Sequence, residues 1–230
     1  MKTIGLLGGM SYESTVEYYK KINQLVQNEL GGSHSARLVM YSFDYDELEK
    51  LLEISDWNKI TERLVDEGLK LKQAGASYLV LCANTMHIVA DQVEKQVGLP
   101  LIHIAKATMK YAFDHGYKKV LLLGTKYTMD HLMYPNIFKE KNIDIITPHH
   151  DEKELIHKTI YQELIRGQFL DKSRQKFIQV IKKYELKGIE AVILGCTEIP
   201  LLIHQDDIEL PILNTMDLHI KEIVYHMLED

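Results

Sequence analysis

Gly75-Ala76-Ser77-Tyr78-Leu79-Val80-Leu81-Cys82-Ala83-Asn84-Thr85 returns 113 residues later as Gly188-Ile189-Glu190-Ala191-Val192-Ile193-Leu194-Gly195-Cys196-Thr197-Glu198. Each stretch is a glycine, a run of strand-forming apolar residues and a small or polar turn, so each reads as a buried β-strand ending in a loop. Two further pairs keep the same order. Leu99-Pro100-Leu101-Ile102 is similar to Leu210-Pro211-Ile212-Leu213 at an offset of 111, and Leu6-Leu7-Gly8-Gly9 to Leu122-Leu123-Gly124-Thr125 at an offset of 116. An internal repeat of this kind predicts an α/β protein of two pseudo-symmetric lobes, each a mostly parallel sheet flanked by helices. The lobes are expected at residues 1–98 with 212–230, and at 99–211. Open parallel sheets bind ligands beyond the carboxyl ends of their strands. The turns 8–11, 82–87, 124–127 and 195–199 are therefore expected to face a cleft between the lobes, with the active site in it.

Outward from the repeat, β-branched and leucine-rich runs alternate with amphipathic stretches. Strands are expected at Thr3–Leu7, Leu38–Ser42, Tyr78–Cys82, Leu101–Ile104, Val120–Leu123, Ile143–Thr147, Ala191–Leu194 and Ile212–Asn214. A helix is predicted from Ser14 to Gly31, with Tyr18, Ile22, Leu25 and Leu30 on one face. Another spans Ser55–Gly75, with Ile60, Leu64, Leu69 and Leu71 inward, an N-cap at Ser55 or Asp56 and a glycine stop. Others cover Ala105–His115, Glu154–Ile165, Lys172–Leu186 and Met216–Leu228.

Composition narrows the class of function. The chain has 230 residues, 46% hydrophobic and 26% charged, with a net charge of −6 and two cysteines. A chain of this size buries enough surface to fold without disulfides or metal, and two cysteines are too few for a disulfide scaffold, which points to a reducing, cytoplasmic setting. Mild acidity argues against nucleic-acid binding. Met1–Met10 reads as a first strand rather than a signal peptide, and no apolar run approaches a membrane span.

Several residues at the turns carry possible chemistry. Gly8-Gly9-Met10-Ser11 sits between a strand and a helix, where backbone N–H groups can hold an anion, although glycine turns of this kind are also purely structural. It is not the dinucleotide-binding glycine pattern. Cys82 and Cys196 each end a strand just before a helix, a position that favours the thiolate; a buried, inert thiol is the ordinary alternative for either. Asn84, Thr85 and Thr197 bring small donors suited to a carboxylate. His149-His150 with Asp151 and Glu152 lacks the spacing of a metal site and reads as an exposed loop. No metal ligand set is assigned.

Gly8-Gly9-Met10 with Ser14-Thr15 and Tyr18-Tyr19, Asn84-Thr85-x-His87, and Gly195-Cys196-Thr197-Glu198 resemble the signatures of the aspartate/glutamate racemase family over nearly the whole chain. Glu198 after Cys-Thr is similar to the aspartate racemase branch; the glutamate racemase branch usually carries histidine there. The resemblance implies racemisation without metal or pyridoxal phosphate, one cysteine taking the α-proton of a free amino acid and a second returning it on the opposite face. It implies Cys196 and Cys82 as candidate catalytic residues, with Met10, Ser11, Asn84, Thr85, Thr125, Thr197 and Glu198 around the substrate, and by analogy a homodimer.

The repeat exposes a departure from that scheme. In the family the first cysteine directly precedes Asn-Thr, whereas here Ala83 stands there and Cys82 lies one residue earlier. Adjacent strand residues point to opposite faces, so Cys82 should aim away from the cleft unless the turn redirects it. Three readings follow: a racemase with Cys196 on one face and Cys82, a water, or a nearby Thr or His on the other; a single-cysteine decarboxylase or isomerase of the same superfamily; or an amino-acid-binding protein without turnover. For a racemase, aspartate or glutamate is the expected substrate, with a broad neutral-amino-acid enzyme as the alternative. Asp44, Asp46, Glu47 and Glu49 would repel a dianion if they faced the site, or else form a solvated helix start. Lys126 and Arg166 offer positive charge or are ordinary surface cations. His87 is read as orienting a threonine or cysteine, or as a capping or supporting histidine. Trp57 with Asp56 is read as part of a lid or a subunit contact.

Overall fold

The structure, a computed structural model, describes residues 1–229. The chain divides into two compact units, one of Met1–His103 together with the chain from His219, the other of Ile104–Leu218. In the first unit β1 (Ile4–Gly8), β2 (Leu38–Ser42) and β3 (Tyr78–Leu81) form a parallel sheet in the order β2-β1-β3. In the second, β4 (Lys119–Gly124), β5 (Asp144–Ile146), β6 (Ala191–Gly195) and β7 (Ile212–Asn214) form a parallel sheet in the order β5-β4-β6-β7. Parallel neighbours need crossovers, which helices supply: α1 (Tyr12–Leu30), α2 (Tyr45–Glu53), α3 (Trp57–Gln73) and α4 (Ala90–Val97) among the first unit's strands. Then come α5 (Ile104–Asp114), α6 (Lys126–Asp130), α7 (Met133–Lys139), α8 (His150–Gln162), α9 (Asp171–Glu185) and α10 (Thr215–Leu228).

The second unit shows why its strands are apolar throughout. Leu121, Leu123, Val192 and Leu194 pack on one face of the sheet with Ile156, Ile160, Phe177 and Ile181 of α8 and α9. Val120, Leu122, Ala191 and Ile193 pack on the other with Ala112, Tyr134 and Phe138 of α5 and α7. Period-two alternation thus feeds two cores rather than one, the pattern of a parallel sheet covered on both sides.

The expected boundaries move by a few residues. The repeat places residues 212–214 in the first lobe, but β7 pairs with β6 in the register Val192↔Ile212 and belongs to the second unit. At the other boundary Leu101 forms a single parallel bridge with Leu79, which keeps residues 99–103 with the first unit. That bridge replaces the expected strand Leu101–Ile104, since Ile104 already begins α5. The inward face of α1 is Tyr18, Ile22 and Val26, while Leu30 lies exposed; on α3 Leu69 turns outward and Gly68 inward, where a Cβ would stand 2.9 Å from Val97 Cγ2. α8 starts ahead of the expected Glu154, because the His149 N–H is held by the Glu152 carboxylate (3.1 Å) and by the Tyr184 hydroxyl (2.8 Å). His149 and His150 are exposed, as the loop reading required, but the first precedes and the second opens a helix. Among the described residues, no helix is long and apolar enough to cross a membrane.

Candidate active site

In the first unit, β1 runs into the turn Gly8–Ser11. Gly9 adopts φ +81, and a Cβ there would lie 2.3 Å from Phe43 O, so only glycine fits. Its N–H donates to Thr15 Oγ1 (2.8 Å), and that hydroxyl donates to Ser11 O (2.8 Å). This amide of the expected anion cradle is therefore used within the turn. Ser11 caps α1, its hydroxyl accepting from Ser14 N (3.4 Å); Met10 and Ser11 are both buried.

At the end of β3, Cys82 continues the ladder, its N–H donating to Leu7 O (2.9 Å), and its side chain is fully buried. Burial alone pushes its thiol up, with no charge to offset the desolvation. The ladder fixes the correspondence between the units: Leu7↔Leu81 precedes Cys82, as Leu123↔Leu194 precedes Gly195. Cys82 thus occupies the place of Gly195, and Ala83 that of Cys196. At Gly195 a Cβ would meet Leu122 Cδ1 at 2.7 Å, so that position faces its own sheet's packing.

Beyond Cys82, buried Asn84 and Thr85 open the 3-10 turn Thr85–Val89. His87, also buried, places Nδ1 2.8 Å from Ala83 O. A carbonyl only accepts, so Nδ1 carries the proton and Nε2 is bare; that nitrogen has no hydrogen-bond partner among the described residues. The His87 ring lies 4.8 Å from that of His103 and 5.5 Å from that of His219. His219 Nε2–H donates to Ile102 O (2.7 Å), and its Nδ1 accepts from the Tyr18 hydroxyl (2.9 Å). Burial pulls His87 down to about 4 and His219 to about 3, so both are neutral near pH 7. His87 accordingly bonds to backbone, not to a threonine or cysteine, and Tyr18, His103 and His219 are a supporting set that spacing did not reveal. They come from distant parts of the chain.

In the second unit, Thr125 caps α6, its hydroxyl accepting from Thr128 N (3.2 Å). Lys126 forms an ion pair with Glu154, and its N–H donates to His157 Nδ1 (3.2 Å). Arg166 is exposed. In the first unit the acids beyond β2 resolve into a helix start: Asp44 caps α2, Asp46 pairs with Lys50 (2.5 Å), and Glu47 pairs with Arg63 (2.8 Å). Asp56 caps α3, accepting from Lys59 N (3.0 Å), and the half-buried Trp57 is that helix's first residue.

Cys196 is the chemically distinctive group. It follows β6 directly, its Sγ–H donates to Glu198 Oε2 (3.0 Å), and the Thr197 hydroxyl donates to the same oxygen (2.9 Å). All three side chains are buried. Burial and the Glu198 carboxylate raise the thiol well above its usual range, while the backbone N–H groups of Glu198 and Ile199 act in the opposite direction. The resting state is a thiol bonded to a carboxylate, with amides placed to receive negative charge on sulfur. Such a pair can give a proton directly, or take one after passing the thiol proton to Glu198. Glu198, expected around the substrate, has Oε2 bonded to both Cys196 and Thr197. Among the described residues, no group of three or more His, Cys, Asp or Glu is disposed to hold a metal.

The Asp/Glu/Hydantoin racemase family model matches residues 7–223, and the chain belongs to that family. It is therefore placed among the racemases. It is similar in structure to a putative Asp/Glu racemase from Yersinia pestis (42% identity, all of both chains, TM-score 0.93) and to an aspartate racemase homologue from Pyrococcus horikoshii OT3 (34% identity, all of both chains, TM-score 0.84). In sequence it is 22% identical to the broad specificity amino-acid racemase RacX of Bacillus subtilis, over 92% of each chain.

Proposed function

We propose that this chain racemises a free amino acid, aspartate or glutamate first, without a cofactor and with Cys196 as the acid and base on one face of the substrate. The observation that carries the reading is the Cys196–Glu198 hydrogen bond beside two backbone amides. Glu198 takes the thiol proton; the substrate Cα–H bond then breaks, its proton passing to sulfur and its electron pair into the carboxylate. A proton delivered to the opposite face by water or a nearby hydroxyl gives the mirror image, and the proton held on Glu198 returns to that donor through solvent. Ser11, Asn84, Thr85 and Thr125 are assigned to the substrate's carboxylate as neutral donors, where developing charge needs them; Thr197, whose hydroxyl donates to Glu198, is assigned there through its backbone, and Met10 contributes apolar surface.

Two observations support an acidic substrate. Three of the four acids that threatened repulsion are capping or ion-paired, Asp44 as the cap of α2, Asp46 with Lys50 and Glu47 with Arg63, and the full-length structural relatives carry aspartate or Asp/Glu racemase names. A broad-specificity enzyme is the second reading, favoured by the likeness to RacX and by the pairing of Lys126 with Glu154, which leaves that cation partly neutralised. The free thiols suit a reducing compartment such as the cytoplasm. Chiral resolution of products from a panel of L- and D-amino acids tests the assignment. Cys196→Ser is expected to lower racemisation by about 10³-fold; full activity in that variant would refute it.

A further inference from the structure

His87 is an anomaly in packing terms. Its ring is buried, yet Nε2 has no hydrogen-bond partner among the described residues. An unsatisfied buried acceptor costs about 1–3 kcal/mol, so an apolar residue would suit the packing better. The hydrogen bond at Nδ1 is to the carbonyl of Ala83 (2.8 Å), and the Ile102 and Asn84 backbones also lie against the ring. In the second unit the equivalent carbonyl, that of Cys196, is held by a backbone N–H, from Ile199 (3.2 Å). Pro200 stands at the position 113 residues after His87, so no side chain there can take the same part. The first unit thus fixes with a side chain what the second fixes with backbone.

We propose that His87 is a positioning residue which, by pinning the Ala83 carbonyl, aims the Asn84 N–H and the Asn84–Thr85 side chains at the substrate carboxylate. The Ala83–Asn84 peptide is trans and planar, so its C=O and N–H point in opposite directions and holding one end sets the other. The role rests on the racemase reading above. It needs a neutral ring protonated on Nδ1, the less common tautomer, and that tautomer leaves the unpartnered Nε2. The cost of the orphan nitrogen is thereby explained as the consequence of a required donor.

The test compares His87→Asn, which keeps a donor at the distance of Nδ1, with His87→Gln, which moves the donor outward to the place of Nε2. Melting temperatures are measured alongside kcat and KM for aspartate and glutamate. His87→Asn is expected to keep kcat within about threefold of wild type and His87→Gln to lose about tenfold, at similar melting temperatures, because a mis-aimed donor stabilises the charged transition state poorly. Equal activity in the two variants, or losses that simply follow melting temperature, would overturn the role while leaving the racemase assignment intact. An inactive wild-type enzyme would refute that assignment itself. Nitrogen-15 NMR of the histidines supplies a readout independent of turnover: His87 is expected as the Nδ1–H tautomer, and an Nε2–H ring would overturn the proposal.

Discussion

The strand-end turns of the two units share one local pattern and differ in electrostatics. In the second, a thiol stands in the first position after the strand with a carboxylate at 3.0 Å and two amides beside the sulfur. In the first, alanine takes that position, the thiol sits one residue back inside the packing, and the ionisable neighbours are histidines held neutral by burial. On the proposed mechanism the second turn exchanges a proton with the substrate, and the first supplies neutral donors. A one-residue shift on a strand turns a side chain to the opposite face, so a thiol at Cys82 instead of at the Ala83 position is no small change in register. On the proposed mechanism it leaves the first thiol outside the chemistry.

Breaking the second turn should have the largest effect. Glu198→Gln keeps the shape and a hydrogen bond but removes the proton acceptor, so kcat is expected to fall about 10²-fold. Losing the carboxylate's charge also lowers the thiol pKa, and Cys196 should alkylate faster than in wild type at the same pH. Unchanged kcat with unchanged alkylation would show that Glu198 does not govern the thiol.

Acid should expose the character of the first turn. His87 and His219 are depressed in the folded state relative to an unfolded value near 6.5. Between that value and about 4, the unfolded chain binds the protons and the folded chain does not, so stability falls as pH falls. For His87 the full drop is about 3 kcal/mol. Denaturant titrations from pH 7 to pH 4 check this, with His87→Asn expected to show a shallower decline; identical slopes would contradict it. The smallest effect is expected of Cys82→Ala, which loses only a buried sulfur: about 1 kcal/mol of stability and no activity. A large loss of kcat would mean that Cys82 reaches the substrate.

Much of the molecule is legible in the sequence because it is local or periodic. The repeat exposes both parallel sheets and the mismatch between Cys82 and Cys196, since spacing alone encodes register. The single bridge at Leu101 reads as a strand because an apolar run after Pro100 looks the same whether it makes one ladder rung or four. The roles of Glu198 and His87 are harder. A glutamate two residues after a cysteine can face substrate or sulfur, and only the fold of the short helical turn at Ile199–Leu201 decides which. The ring of His87 contacts residues that are neighbours only after folding, His103 and His219, so no window of sequence contains them.

The central claim is that proton transfer is centred on one thiol. Incorporation of deuterium at Cα from D2O, followed separately for the L- and D-enantiomers of aspartate and glutamate in wild type and Cys196→Ser, tests it most directly. Unequal exchange from the two enantiomers, abolished for both by Cys196→Ser, is the predicted result; equal exchange from both, or exchange that survives in Cys196→Ser, would contradict it.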